Sequence, residues 1–231
     1  MRPDAAALKV CGSAERSAGF GVTLVAQAEG GDWAELLASG LTFDCHGLAP
    51  GPAAAPAAGT TLLGLESVPA GEAITLQPGP HIASGAALLP VVRVLLGLVA
   101  DLARMPRVQA VCWHPAACWM EPAYFAGLAA DWLGGGAFPA LGLTALIRDA
   151  QGGVASQGLA FFIGQELHLS TDLKLAPDAA ARLAIRLIDQ LIVIGPIIEP
   201  RVFALEGQPR VLVKPDRVGT ILSITRLPHV R

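Results

Sequence analysis

The stretch Gln165-Glu166-Leu167-His168-Leu169-Ser170-Thr171-Asp172 holds the densest run of groups able to move protons. Side chains alternate between the faces of an extended strand, so Glu166, His168, Ser170 and Asp172 would share one face and the leucines the other. A carboxylate beside an imidazole tunes the histidine toward neutral pH and equips the pair for general acid–base work. The same alternation is what any half-exposed antiparallel strand requires. Glu166 and His168, with His81 as a third group, are the catalytic candidates.

Cys112-Trp113-His114-Pro115-Ala116-Ala117-Cys118 is the one run with metal-ligand character. Alternation puts Cys112 and His114 on one side, and a turn could return Cys118 toward them. Zinc would need a fourth ligand, Cys45 or His46, and the paired Cys-x-x-Cys spacing is absent. Buried cysteines are also ordinary small core residues. His81 and Ser84 suggest a base and a nucleophile, yet no Gly-x-Ser-x-Gly elbow surrounds the serine and no acidic group to orient the histidine can be named. The glycines at 134, 135 and 136 end a helix instead of opening one, and no Gly-Lys-Ser/Thr follows, so they read as a turn and not as a phosphate cradle. No cofactor motif is present.

The elements that would position these groups follow from periodicity and caps. Residues 1–18 lack periodicity and read as a loose leader. A strand is expected over 21–27. A short helix follows, capped by Asp32 with Glu35 three residues later and ended by Gly40. Residues 49–59, Pro/Ala low complexity, form a surface loop. Strands near 61–66 and 73–77 lead to a long, mostly buried helix from Leu88 to Arg104, whose polar positions form one narrow stripe. A strand at 108–113 precedes a helix opened by Pro122 and running to Leu133. Residues 141–147 and 158–163 read as a hairpin turned at Gln151-Gly152-Gly153, with a strand over 166–171 after it. The clearest helix starts at Pro177-Asp178 and stops at Gly195-Pro196. Short strands near 202–205, 211–214 and 221–225 complete the chain. This order suits an α+β fold of two tandem ferredoxin-like βαββαβ units, 19–107 and 108–231, with one continuous mixed sheet as the competing arrangement.

The chain of 231 residues is 53% hydrophobic and only 15% charged, against roughly 25% charged in soluble domains. Polar surface is therefore scarce, which favours a protein that hides surface against a copy of itself or a partner. A net charge of −3 offers no long-range attraction for phosphate backbones, which argues against nucleic-acid binding. Arg201, Arg210, Lys214, Arg217, Arg226 and Arg231 outnumber Glu206 and Asp216 near the C-terminus; such an excess could steer an acidic partner, and it also keeps terminal strands soluble. The apolar stretches are interrupted by Arg93, Asp101, Arg186 and Asp189, so they read as buried helices and not membrane spans. No secretory signal is visible, and the four cysteines are irregularly spaced, which together point to the cytoplasm. Trp33, Trp113, Trp119 and Trp132 read as core or interface anchors.

Several short motifs carry a resemblance. Pro80-His81-Ile82-Ala83-Ser84, the strand ending at Trp113, the run Gly158-Leu159 with Phe162 and Glu166, and the helix ending at Gly195 resemble a bacterial family known as domain of unknown function 4261. The likeness spans roughly residues 61–225, and each motif is short. After Gly195 this chain reads Pro196-Ile197-Ile198-Glu199-Pro200-Arg201, in place of the Gly-Asp-Thr-Ile-Gly-like turn of that family. The resemblance implies an α/β segment and a bacterial source, and it transfers no activity.

The expectation for function is a non-catalytic cytoplasmic protein acting through oligomerisation or partner binding, without a cofactor. The alternative is a small-molecule hydrolase-like enzyme using Glu166 and His168, with His81 nearby.

Overall fold

The computed structural model describes residues 2–8 and 22–227. Contacts cluster into two compact units: Met1–His114 with Trp119–Ala137, and Pro115–Cys118 with Phe138–Arg231. The expected boundary at 107/108 falls inside the first of them.

In the first unit β1 (Val22–Gln27), β2 (Trp33–Ala38), β3 (Leu41–His46) and β5 (Thr75–Pro78) form a four-stranded sheet in that order, all neighbours antiparallel. The helix expected from Asp32 to Gly40 is strand β2. Its sequence WAELLA alternates with period two and buries Ala34, Leu36 and Ala38, so burying one sheet face overrides the local helix-capping signals. Ser39 and Gly40, both at positive φ, close the two-residue turn from β2 into β3. The helix α1 (Leu89–Ala103) packs on this sheet and against α2 (Pro122–Leu133). Both helices start with proline in the first turn, where its missing N–H is no loss. The Arg93 guanidinium lies 4.9 Å from the Trp132 ring centre and donates to the Leu133 carbonyl at 3.0 Å.

Strands β4 (Thr61–Leu63), β6 (Val111–Trp113) and β7 (Cys118–Met120) make a separate three-stranded sheet, with β7 in the middle. Residues 2–8, expected within a loose leader, are docked: Leu8 is buried in a cluster with Leu36, Cys45 and Leu48, and Arg2 donates to the Gly47 and Gly51 carbonyls. The rest of that leader, 9–18, lies outside the described residues. Residues 49–59 form an irregular, largely exposed segment, as read from their composition.

The second unit is built on a six-stranded sheet ordered β11-β12-β13-β10-β9-β8: Arg201–Phe203, Val211–Pro215, Ile221–Arg226, Glu166–Leu169, Val154–Gln157 and Ala145–Arg148. Only β10 and β13 run parallel within it. Residues 158–163, expected to pair as a strand, instead form the five-residue helix α3 (Leu159–Ile163), and 154–157 takes their place in the hairpin. The long helix α4 (Pro177–Ile194) packs on β9, β10 and α3. It buries Leu183, Ala184, Leu187, Ile188 and Leu191 completely, at the i, i+1, i+4, i+5, i+8 spacing of one helix face. Each such leucine contributes about 1.5–3 kcal/mol by leaving water.

The architecture is α+β, as expected. The two ferredoxin-like repeats are not seen, because 33–38 adds a strand where their first helix would lie and 158–163 supplies a helix where a strand would lie. The described strands form three sheets, not a single continuous one. Among the described residues no helix is long and apolar enough to cross a membrane.

Candidate functional site

The polar cluster forecast on 166–172 lies only in part on β10: Ser170 caps a 3-10 turn over Thr171–Leu173 that takes Asp172 off the strand, whereas over Glu166–Leu169 the alternation holds, with Leu167 and Leu169 buried and Glu166 and His168 half-buried. Each of these two polar side chains has its own partners. Glu166 turns toward the N-terminus of α3. Its Oε1 accepts from the Gly158 amide at 2.7 Å and the Ala160 amide at 3.0 Å, and its Oε2 accepts from the Leu159 amide at 3.2 Å and from the Ser156 hydroxyl. Ser156 Oγ in turn accepts from the Leu167 amide at 2.9 Å. A carboxylate at a helix start satisfies amides that have no partner within the helix and meets the positive end of the peptide dipoles. The oxygens that acid–base chemistry would use are thus taken up by backbone and hydroxyl donors.

His168 bonds Asp149 instead, Nε2 to Oδ2 at 2.6 Å. Asp149 sits at the start of the β8–β9 turn, and its Oδ1 accepts from the Gln151 amide at 2.9 Å and the Gly153 amide at 2.8 Å. The turn closes tightly over the pair: a Cβ on Gly153 would stand 2.5 Å from Asp149 Oδ2 and 2.8 Å from His168 Nε2. The side chains are 26% and 38% exposed, so water still reaches this bond. Asp149 belongs to no motif along the chain. The signal for it was its place just before Gln151-Gly152-Gly153, which becomes readable only once β9 is known to lie beside β10.

The bond to His168, followed by the Gly153 and Gln151 amides, holds the Asp149 carboxyl below the usual aspartate range. A depressed folded-state pKa means that this contribution is fully present above the unfolded value of about 3.9 and is lost as the pH falls through the lower folded value. Urea midpoints of the wild type should therefore fall more steeply than those of Asp149→Asn as the pH drops below about 4. Parallel curves would show that the bond does not favour the carboxylate.

The other candidates lie elsewhere. His81 and Ser84 are exposed in the turns leading to α1, in the first unit, whereas Glu166 and His168 belong to the second. Cys112 is half-buried, His114 exposed and Cys118 buried. Among the described residues no three His, Cys, Asp or Glu side chains are grouped to hold a metal. Burial pushes the Cys112 thiol up to about 11 and the Cys45 thiol up to about 12, so neither is an activated thiolate nucleophile at neutral pH. Trp113, Trp119 and Trp132 are buried. A small cavity of about 100 Å³ beside the β8–β9 turn is lined by Val154, Leu169, Leu173 and Leu175 together with Ser170 and Thr171, and it gathers no convergent set of titratable groups.

No known protein family, curated protein or solved structure matches this chain.

Proposed function

We propose that this protein acts by association, as a homo-oligomer or by docking a protein partner, and not by catalysis. The observation that supports this reading is the distribution of large aliphatic side chains in the second unit. Val193, Ile198 and Val218 are 78%, 84% and 80% exposed, while the groups best suited to chemistry are engaged in building turns. Large aliphatic side chains left this open are candidates for cover by another protein surface, and a chain with 15% charged residues has little polar surface with which to dilute them.

Catalysis by Glu166 and His168 has less in its favour, since Glu166 caps α3 and His168 is held by Asp149. A cytoplasmic location belongs to the same proposal, as does kinship with the bacterial family of unknown function. The latter rests on Gly158, Leu159, Phe162 and Glu166, which the fold gathers around one short helix; Phe162 packs edge-on against Phe138, ring centres 5.2 Å apart.

Sedimentation velocity of the untagged protein from about 1 to about 100 μM tests the reading. A mass above that of the monomer, rising with concentration, is expected. A monomer throughout would remove self-association and leave only docking to a different protein.

A further inference from the structure

Residues 198–202 read Ile-Glu-Pro-Arg-Val, and all of them are exposed, Ile198 at 84% and Val202 at 43%. The segment is a palindrome in chemical character about Pro200: apolar, acidic, proline, basic, apolar. Ile198–Pro200 lead through a bend at Glu199 into the edge strand β11; across a two-fold axis at Pro200, Ile198 comes opposite Val202 and Glu199 opposite Arg201, each contact made twice. An isologous interface requires this self-complementarity, and opposite charges placed directly across from each other add to an apolar contact. A nucleic acid or a strongly acidic protein would be attracted by Arg201 and repelled by Glu199.

The surroundings hold this segment in place and widen it. Buried Gln165 donates from Nε2 to the Ile197 and Gly219 carbonyls, both at 2.9 Å, and accepts at Oε1 from the Ile197 amide at 2.8 Å. Ile197 is thereby pinned, and its neighbour Ile198 is displayed beside the β12–β13 turn. That turn presents Val218 and is fixed by Asp216, whose Oδ1 accepts from the Thr220 and Ile221 amides at 2.8 and 3.1 Å. A face already ordered in the free chain gives up less entropy on binding. Stable pairs bury about 800 Å² per partner, more than five residues offer, so Val218 on the adjoining β12–β13 turn must be covered as well. Pro200 has no N–H to place in a ladder, so side chains carry the contact.

We infer that this face, centred on Pro200 at the β11 edge of the six-stranded sheet, pairs with the same face of a second copy of the chain in a two-fold dimer. The inference rests on the association reading above and assigns it an occupant. The test is sedimentation equilibrium on the full chain. Ile198→Glu and Val218→Glu should each weaken the dimer by about 100-fold, as expected for central contacts; both positions are exposed, and far-UV circular dichroism reports whether the variants remain folded. The decisive measurement uses reciprocity. Glu199→Arg alone and Arg201→Glu alone should each dimerise poorly, because like charges then face each other across the axis, whereas an equimolar mixture of the two should form a heterodimer at least as tight as the wild type. A mixture no tighter than its components overturns the inference. A wild-type dimer untouched by Ile198→Glu and Val218→Glu overturns this face but leaves self-association standing, whereas a wild type that stays monomeric removes both.

Discussion

Glu166→Ala should destabilise the second unit by about 3 kcal/mol, and Glu166→Gln by about half as much. The carboxylate receives three amides and one hydroxyl, and alanine leaves all four donors without their acceptor. A single hydrogen bond contributes on the order of 1 kcal/mol net, more when one partner is charged, and an abandoned buried donor carries its desolvation penalty in addition. Part of the site is open to water, which keeps the total below the simple sum. Glutamine retains one acceptor oxygen, enough for the Gly158 and Ala160 amides, but turns an NH2 toward the Leu159 amide; the Ser156 hydroxyl can rotate to accept from it. Urea denaturation should give the order wild type, Glu166→Gln, Glu166→Ala, and hydrogen exchange should show protection lost first at the amides of residues 158–160. An unchanged urea midpoint in Glu166→Ala would mean that the carboxylate is not needed to hold α3, and would return Glu166 to the list of groups available for chemistry.

How much of this was legible depends on where the information lies. The helices α1, α2 and α4 were readable because their signals are local: a proline in the first turn, an apolar face at helical spacing and, for α4, a glycine at the stop. Strand β2 defies its local signals because Asp32, Glu35 and Gly40 imitate a capped helix over a stretch short enough to fit either period. What decides it is pairing with β1 and β3, which lie on either side of it in the sheet, and a single segment does not display that. The segment 158–163 departs from expectation in the opposite sense. Its apolar residues suit a strand, and the reason they coil is a carboxylate several residues downstream.

The proton-moving groups show the same division. Alternation correctly put Glu166 and His168 on the more open face of β10, since it follows from strand geometry alone. What each side chain bonds is fixed by turns on neighbouring strands, through Asp149 at one end of the β8–β9 hairpin and Ser156 within β9. Spacing along the chain therefore suggested a pair, whereas sheet order gives two separate bonds. The palindrome at 198–202 is present in the sequence but unremarkable until the fold shows that its residues are exposed where the chain enters the edge strand β11.

Gly158→Ala should destabilise the second unit by about 3–5 kcal/mol, combining backbone strain with a steric clash. Gly158 has φ +94°, a conformation that L side chains rarely adopt. An added Cβ would also stand 2.9 Å from both Ala116 Cα and Ala116 Cβ and 3.0 Å from Ala116 N. Gly164, at the other end of α3, separates these two causes. It too has positive φ, +74°, but a Cβ there meets nothing within 4 Å, so Gly164→Ala should lose only about 1 kcal/mol. The difference between the two variants then measures the close approach of Ala116. Adding Ala116→Gly to Gly158→Ala removes one of the three short contacts and leaves the backbone ones, so it should restore little. Full recovery in that double variant would show that the alanine methyl alone was the obstacle. Equal losses in Gly158→Ala and Gly164→Ala would show that strain explains everything and that the 115–118 segment yields freely. The expected inequality makes Gly158 the point where the turn into α3 rests on neighbouring backbone. It also gives the Gly-Leu…Phe…Glu run a mechanical reading: glycine permits the turn, phenylalanine packs the helix, and glutamate holds its amides.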